Sequence, residues 1–217
     1  KLNIDVIQNK YLKNHHKVNI TKINNEPQVG IINGLWANSL GNGGIIHIQT
    51  KYMPSNNLLE LKLTGQQGDV MQESMNVAKT LALNLLSEQE KDILFKNLEN
   101  NKFKGIHIHC PEGAMKKDGP SAGIAITMAL YSLFTNKKIK NNIALTGEIN
   151  LQGNVTEIGG LDCKIIGGIK AGVKHFIYPK SNSKDFNDFK EKYKTKKLEN
   201  IKFNEVSNVY NVIDLIF

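Results

Sequence analysis

Apolar positions along the chain fall into runs of different length and period, and each kind of run predicts a different element. Short aliphatic stretches at residues 29–32, 45–52 and 58–63 are bounded by Gly, Asn or Pro and read as strands. Gly41-Asn42-Gly43-Gly44 is a turn signal between two of them. Met71, Met75, Ala78, Ala82 and Leu85 recur at helical spacing. Ser87-Glu88-Gln89-Glu90 has the form of a capping box and opens a second helix to about Leu98. Residues 105–110 alternate Ile and His as a strand does, whereas residues 122–134 are apolar for too long and read as a buried helix. A strand at 143–145, a helix at 161–171, a strand at 175–178 and a polar helix at 184–193 follow. Strands and helices mix without strict alternation, which predicts an α+β fold of small mixed sheets packed with helices.

Residues 1–28 are polar and Asn-rich, with Pro27 near their end, and read as an arm; residues 29–217 are expected to form the domain. The start, Lys1-Leu2-Asn3-Ile4-Asp5, has neither an initiator Met nor the apolar region of a signal peptide, so a fragment or processed piece is expected. With 217 residues, 40% hydrophobic and 22% charged, the chain has a globular composition and can bury a real core. No apolar run approaches the roughly 20 residues of a membrane span.

The formal charge is +8, and all 28 basic residues are Lys. Base edges and phosphates are read mainly by Arg, so the charge points first to a solvated surface. The Lys surplus leaves weak, non-specific DNA binding open. Abundant Asn beside Lys suggests an AT-rich genome. Cys110 and Cys163 form neither a disulfide framework nor a metal-binding C-x-x-C pair, which makes a reducing compartment the default.

Residues 111–123, Pro-Glu-Gly-Ala-Met-Lys-Lys-Asp-Gly-Pro-Ser-Ala-Gly, form a glycine-punctuated loop that delivers Ser121 to the start of the buried helix. A Ser there can cap the helix through its hydroxyl, or meet a substrate at the positive end of the helix dipole. Gly119-Pro120-Ser121-Ala122-Gly123 also has the G-x-S-x-G form. The preceding strand ends near Cys110 and the only later His is His175, which does not suit a hydrolase nucleophile elbow. Another base is available in the 161–171 helix. Leu161, Ile165, Gly168 and Ile169 share one face, and Lys164 falls at the edge of that arc. Burial would depress its pKa and free a neutral amine; the alternative is a snorkelling Lys with its head in water.

These stretches, with Thr146-Gly147-Glu148-Ile149 and Gly159-Gly160-Leu161-x-x-Lys164, closely resemble the proteolytic domain of Lon proteases in order and spacing. The resemblance runs upstream through Gly34-Leu35 and residues 63–74, and more weakly down to residues 212–217. It implies an ATP-dependent serine endopeptidase with Ser121 as nucleophile and Lys164 as general base. The backbone amides near Ser121, including that of Ala122, would hold the oxyanion, and the Thr146 hydroxyl would orient the amine. Asp118 is proposed as a gate, since a carboxylate near Lys164 would favour the ammonium; a plain turn residue is the alternative.

His107 and His109 lie on one strand face without a third metal ligand at a metal-site spacing, and the resemblance implies no metal in this chemistry. A structural or hydrogen-bonding role is expected for them, with Glu73 and Glu148 as pairing candidates or ordinary solvated carboxylates. Cys163 adjoins Lys164 but points away from the Leu161 face. Two departures from the family pattern stand out. Gly34-Leu35-Trp36-Ala37-Asn38 exchanges Trp and Ala, and Gly167-Gly168 replaces the usual alanines, which predicts a looser helix.

No G-x-x-x-x-G-K-[ST] phosphate loop occurs. The resemblance therefore places ATP and Mg on an upstream ATPase module reached through the arm, with no cofactor in this domain. It also implies unfolded or damaged polypeptides as substrates, a hexameric homo-oligomer, and no membrane. An AT-rich eukaryote would put such a protease in the mitochondrial matrix; a bacterial cytoplasm is the alternative. The competing reading is a non-catalytic interaction or polyanion-binding module on the same fold.

Overall fold

The computed structural model describes residues 3–13, 20–99, 101–111, 119–193 and 198–217. A short helix, α1 (Ile4–Val6), continues into a π-helical turn at Ile7–Tyr11. The strands follow as β1 (Gln28–Val29), β2 (Ile31–Ala37), β3 (Gly43–Met53) and β4 (Leu61–Thr64). Helices α2 (Asp69–Asn84) and α3 (Glu88–Glu99) lead to β5 (Gly105–His109) and α4 (Gly123–Thr135). Then come β6 (Lys138–Ile139), β7 (Ile143–Leu145), β8 (Glu148–Ile149), β9 (Val155–Thr156) and α5 (Leu161–Ala171). The chain closes with β10 (His175–Pro179), α6 (Ser183–Lys192), β11 (Lys202–Val206) and α7 (Ile213–Ile216).

The α+β expectation holds, but most strands join one mixed sheet instead of several small ones. Seven strands run in the order β11-β10-β7-β2-β3-β5-β4, and only β1-β6 and β8-β9 stand apart as two-stranded pairs. β7 lies between parallel neighbours β10 and β2, with Ala144 opposite both Phe176 and Asn33. Its three residues are buried, as in a strand covered on both faces. Alternation then assigns each side chain. Ile32, Ile46, Ile143, Leu145 and Ile177 join a core with α2 and α4, while Leu35, Ile45, Ala144, Phe176 and Tyr178 join one with α5 and α6. The helices α4 and α5 thus cover opposite faces of the sheet.

Local signals explain most boundaries. Ser87 and Glu90 form the reciprocal capping box: the Glu90 amide donates to the Ser87 hydroxyl at 3.2 Å, and the Ser87 amide to the Glu90 carboxylate at 3.0 Å. Every residue of α4 from Gly123 to Phe134 is buried, as its apolar run requires, and Asn136 ends it in the left-handed region (φ 55°). The strand expected at residues 29–32 is β2 and extends to Ala37, and the one expected from residue 58 is β4 and begins only at Leu61.

The glycines of α5 correct one expectation. A Cβ on Gly167 would stand 2.1 Å from the carbonyl carbon and oxygen of Gly43, and one on Gly168 would stand 2.5 Å from the Phe176 ring. These residues do not loosen the helix; they let its backbone lie directly on β3. Helix propensity alone would make Gly167→Ala stabilising by up to ~1 kcal/mol. The close approach predicts instead a loss of about 1–3 kcal/mol, as in an overpacked core, readable from urea unfolding.

Candidate active site

Ser121 sits in a single 3₁₀ turn, Pro120–Ala122, that leads into α4. The N-cap of α4 is Ala122 and no side chain caps either helical segment, so the hydroxyl of Ser121 is not used as a cap. What fixes Ser121 is the end of β7. Its carbonyl accepts from the Gly147 amide at 2.8 Å and from the Thr146 hydroxyl at 3.2 Å. In return the Ile124 amide donates to the Gly147 carbonyl at 3.1 Å, and the Gly123 amide is taken by Pro120. Thr146 is itself locked, fully buried, with its amide bonded to the Ile177 carbonyl at 3.1 Å. The first turn of α4 is therefore stitched to the carboxyl end of β7.

Lys164 approaches the same end of the sheet from the other face. Gly160 opens α5 in the left-handed region (φ 67°) and lies beside Ala37, the last residue of β2. The far end of α5 reaches Val173 and Lys174, whose amide bonds the Asn142 carbonyl just ahead of β7. Because β2 and β7 are parallel, α5 runs back along them from their carboxyl ends, with Lys164 one turn in. Leu161 and Ile165 beside it are buried. Lys164 is only 4% exposed as a residue, so its stem is buried. Burial lowers its pKa from 10.5 to about 8. Among the described residues no carboxylate or hydrogen-bond acceptor is recorded against its Nζ.

The other predicted residues are placed as follows. His107 and His109 share one partner, the Thr64 hydroxyl, at 2.8 Å from Nε2 of the first and 2.7 Å from Nδ1 of the second. Burial, then the charges of Lys62 and His109, lower the His107 pKa. Neither Glu73, exposed on α2, nor the half-buried Glu148 is bonded to these histidines. Thr64 was missed as a site residue; its signal is the register that sets it opposite His109. Among the described residues no group of three His, Cys, Asp or Glu could hold a metal. The Cys163 thiol is pushed up by burial and by its hydrogen bond to Asp162. Trp36 packs over Gly44 and donates its indole N–H to the Ile45 carbonyl at 3.2 Å. Asp118 lies outside the described residues.

The depressed amine predicts a stability signature. Native Lys164 titrates near 8, and an unfolded lysine near 10.4. Between those values the unfolded chain keeps a proton that the native chain has lost, so stability rises with pH across the window. Below the window the whole penalty is present. Lys164→Met should therefore be more stable than the parent at neutral pH, by up to about 3 kcal/mol. It should also lose the upward slope in urea unfolding between pH 8 and 10.5; a retained slope would assign it to another group.

Comparison with known proteins gives a consistent set of relatives. The family described as the Lon protease (S16) C-terminal proteolytic domain matches residues 4–217. A Lon protease of Desulfatibacillum aliphaticivorans is 42% identical over 190 residues, covering 87% of this chain and 21% of the relative. One from Fervidobacterium nodosum is 38% identical over 192 residues, 88% of this chain and 22% of the relative. One from Mesomycoplasma hyopneumoniae is 39% identical over 196 residues, 90% and 21%. The chain thus spans about a fifth of the length of these curated relatives.

Proposed function

The chain belongs to the Lon protease (S16) C-terminal proteolytic-domain family, and from that membership in a protease family we propose that Ser121 and Lys164 form its Ser–Lys dyad. The observation that carries this is a buried lysine at the same end of the sheet as a serine whose hydroxyl caps nothing. Ser121 Oγ attacks the scissile carbonyl carbon while neutral Lys164 takes its proton; the ammonium then protonates the leaving amine. With the Gly123 and Ile124 amides committed elsewhere, the amides of Ser121 and Ala122 would hold the oxyanion at the positive end of α4. The Thr146 hydroxyl spends its proton on the Ser121 carbonyl, so its lone pairs are free to accept an N–H from the neutral amine. Asp118 acts as a gate that holds the amine charged when its carboxylate is near.

For the whole protein we propose ATP-dependent endoproteolysis of unfolded or damaged polypeptides. An ATPase module using ATP and Mg would precede this domain, which itself needs no cofactor, and the protein would assemble as a homo-hexamer. The relatives come from bacteria, which favours a bacterial cytoplasm over a mitochondrial matrix. No helix among the described residues is long and apolar enough to cross a membrane. The Lys surplus supports at most weak DNA binding.

Intact mass after exposure to a peptide-like β-lactone tests the dyad. A single adduct should form on Ser121 in the full-length protein with ATP, and Ser121→Ala and Lys164→Ala should abolish it. Its rate should rise with pH through about 8 and then level. Asp118→Asn should move that rise to lower pH if the gate is real; an unmoved profile would leave Asp118 a turn residue. No Ser121-dependent adduct would return the chain to a non-catalytic module.

A further inference from the structure

An α-helix leaves its last four carbonyls without intrahelical donors, and α5 shows where each of them goes. Gly168 and Ile169 are satisfied locally by the amides of Gly172 and Val173. Lys170 and Ala171 are satisfied from far upstream: the Lys170 carbonyl accepts from the Lys22 ammonium, and the Ala171 carbonyl from the Ile23 amide at 3.1 Å. The ammonium also suits the negative end of the helix dipole. The Ile23 side chain packs against Gly172, and the Lys22 carbonyl is bonded by His47 Nε2 on β3 at 2.9 Å.

The next residue of this strap reaches the other arm of the site. The Asn24 carbonyl accepts from Asn141 Nδ2 at 2.7 Å. The carbonyls of Asn141 and Ile143, at the entry to β7, both accept from the buried Asn33 side chain at 2.9 and 2.7 Å. Three consecutive residues therefore hold the distal ends of two elements whose proximal ends carry Lys164 and Thr146.

We propose that residues 22–24 are a tether that sets the axial position of α5 and β7, with Ile23 and Asn141 as positioning residues for the Lys164 amine. The inference rests on Lys164 being the base. A helix is a stiff rod rising about 1.5 Å per residue, so Lys164 lies only ~10 Å from the tethered end. Displacement there is transmitted along the helix, whose backbone lies directly on Gly43 of β3 with no side chain between them. The grip itself is mostly directional and polar, over a small cleft lined by Asn24, Glu26, Asn33 and Asn141. Such bonds exchange with water at little net cost, so the apolar part of the grip is Ile23, which packs at the edge of the α5 core. Whatever moves residues 22–24 then moves the amine and lets water reach it.

The test compares Ile23→Ala and Asn141→Ala with the parent in the full-length protein, using β-lactone acylation of Ser121 across pH, with cooperative thermal melting as the check on folding. Both variants should melt cooperatively while the midpoint of the acylation profile moves up from about 8 toward an ordinary lysine. Each unit of that shift lowers the rate at neutral pH about tenfold. A lowered melting temperature with an unmoved midpoint would overturn the tether and leave a merely structural role. If Ile23→Ala does not fold, Ile23→Val is read by the same criterion. Failure of the dyad itself is distinguishable, because parent acylation would then be indifferent to Lys164→Ala.

Discussion

A lysine amine taken out of water is the constraint around which this domain is arranged. Burying an ammonium costs free energy, and here that cost lowers the amine's pKa from 10.5 to about 8, so a neutral amine is available at a pH where a solvated lysine is still charged. The side chain must therefore be held largely out of bulk water, on a helix pressed hard against the sheet. Two glycines make this possible. Gly43 and Gly167 meet backbone to backbone, closer than any side chain allows, and Gly168 takes the Phe176 ring at similar range. With α5 seated in this way, Leu161 and Ile165 close over the sheet beside Lys164.

The sheet turns that seating into a site. Its inner strand β7 has only three residues, all buried, with Ile143 and Leu145 in the core under α4 and Ala144 in the core under α5. Past its carboxyl end, Thr146 and Gly147 hold the carbonyl of Ser121 from two donors. The serine is thus fixed through its backbone while its hydroxyl stays uncommitted. Nucleophile and base thus arrive from opposite faces of one sheet.

Much of this was legible in the chain because it rests on local rules. The Ser87–Glu90 capping box, the apolar run of α4 and the bounds of α5 follow from periodicity and capping, and the structure bears them out. What could not be read depends on contacts between distant segments. Gly167 and Gly168 look like weaknesses in a helix until Gly43 and Phe176 are placed against them. Strands such as β8 and β9, two residues each, carry too little pattern to register. The shared Thr64 partner of His107 and His109 depends on β4–β5 register, which no single segment encodes. The closing of residues 22–24 onto the end of α5 links positions nearly 150 apart, Lys22 to Lys170.

The most direct test of the account is an NMR titration of the Lys164 side chain in lysine labelled with ¹³C at Cε, assigned by the signal lost in Lys164→Met. The account predicts a single transition near pH 8, well apart from the surface lysines. A transition at about 10.4, with the bulk, would mean that the amine is solvated like any surface lysine and that burial does not ease its deprotonation. It would contradict the seating of α5 and the base proposed from it together.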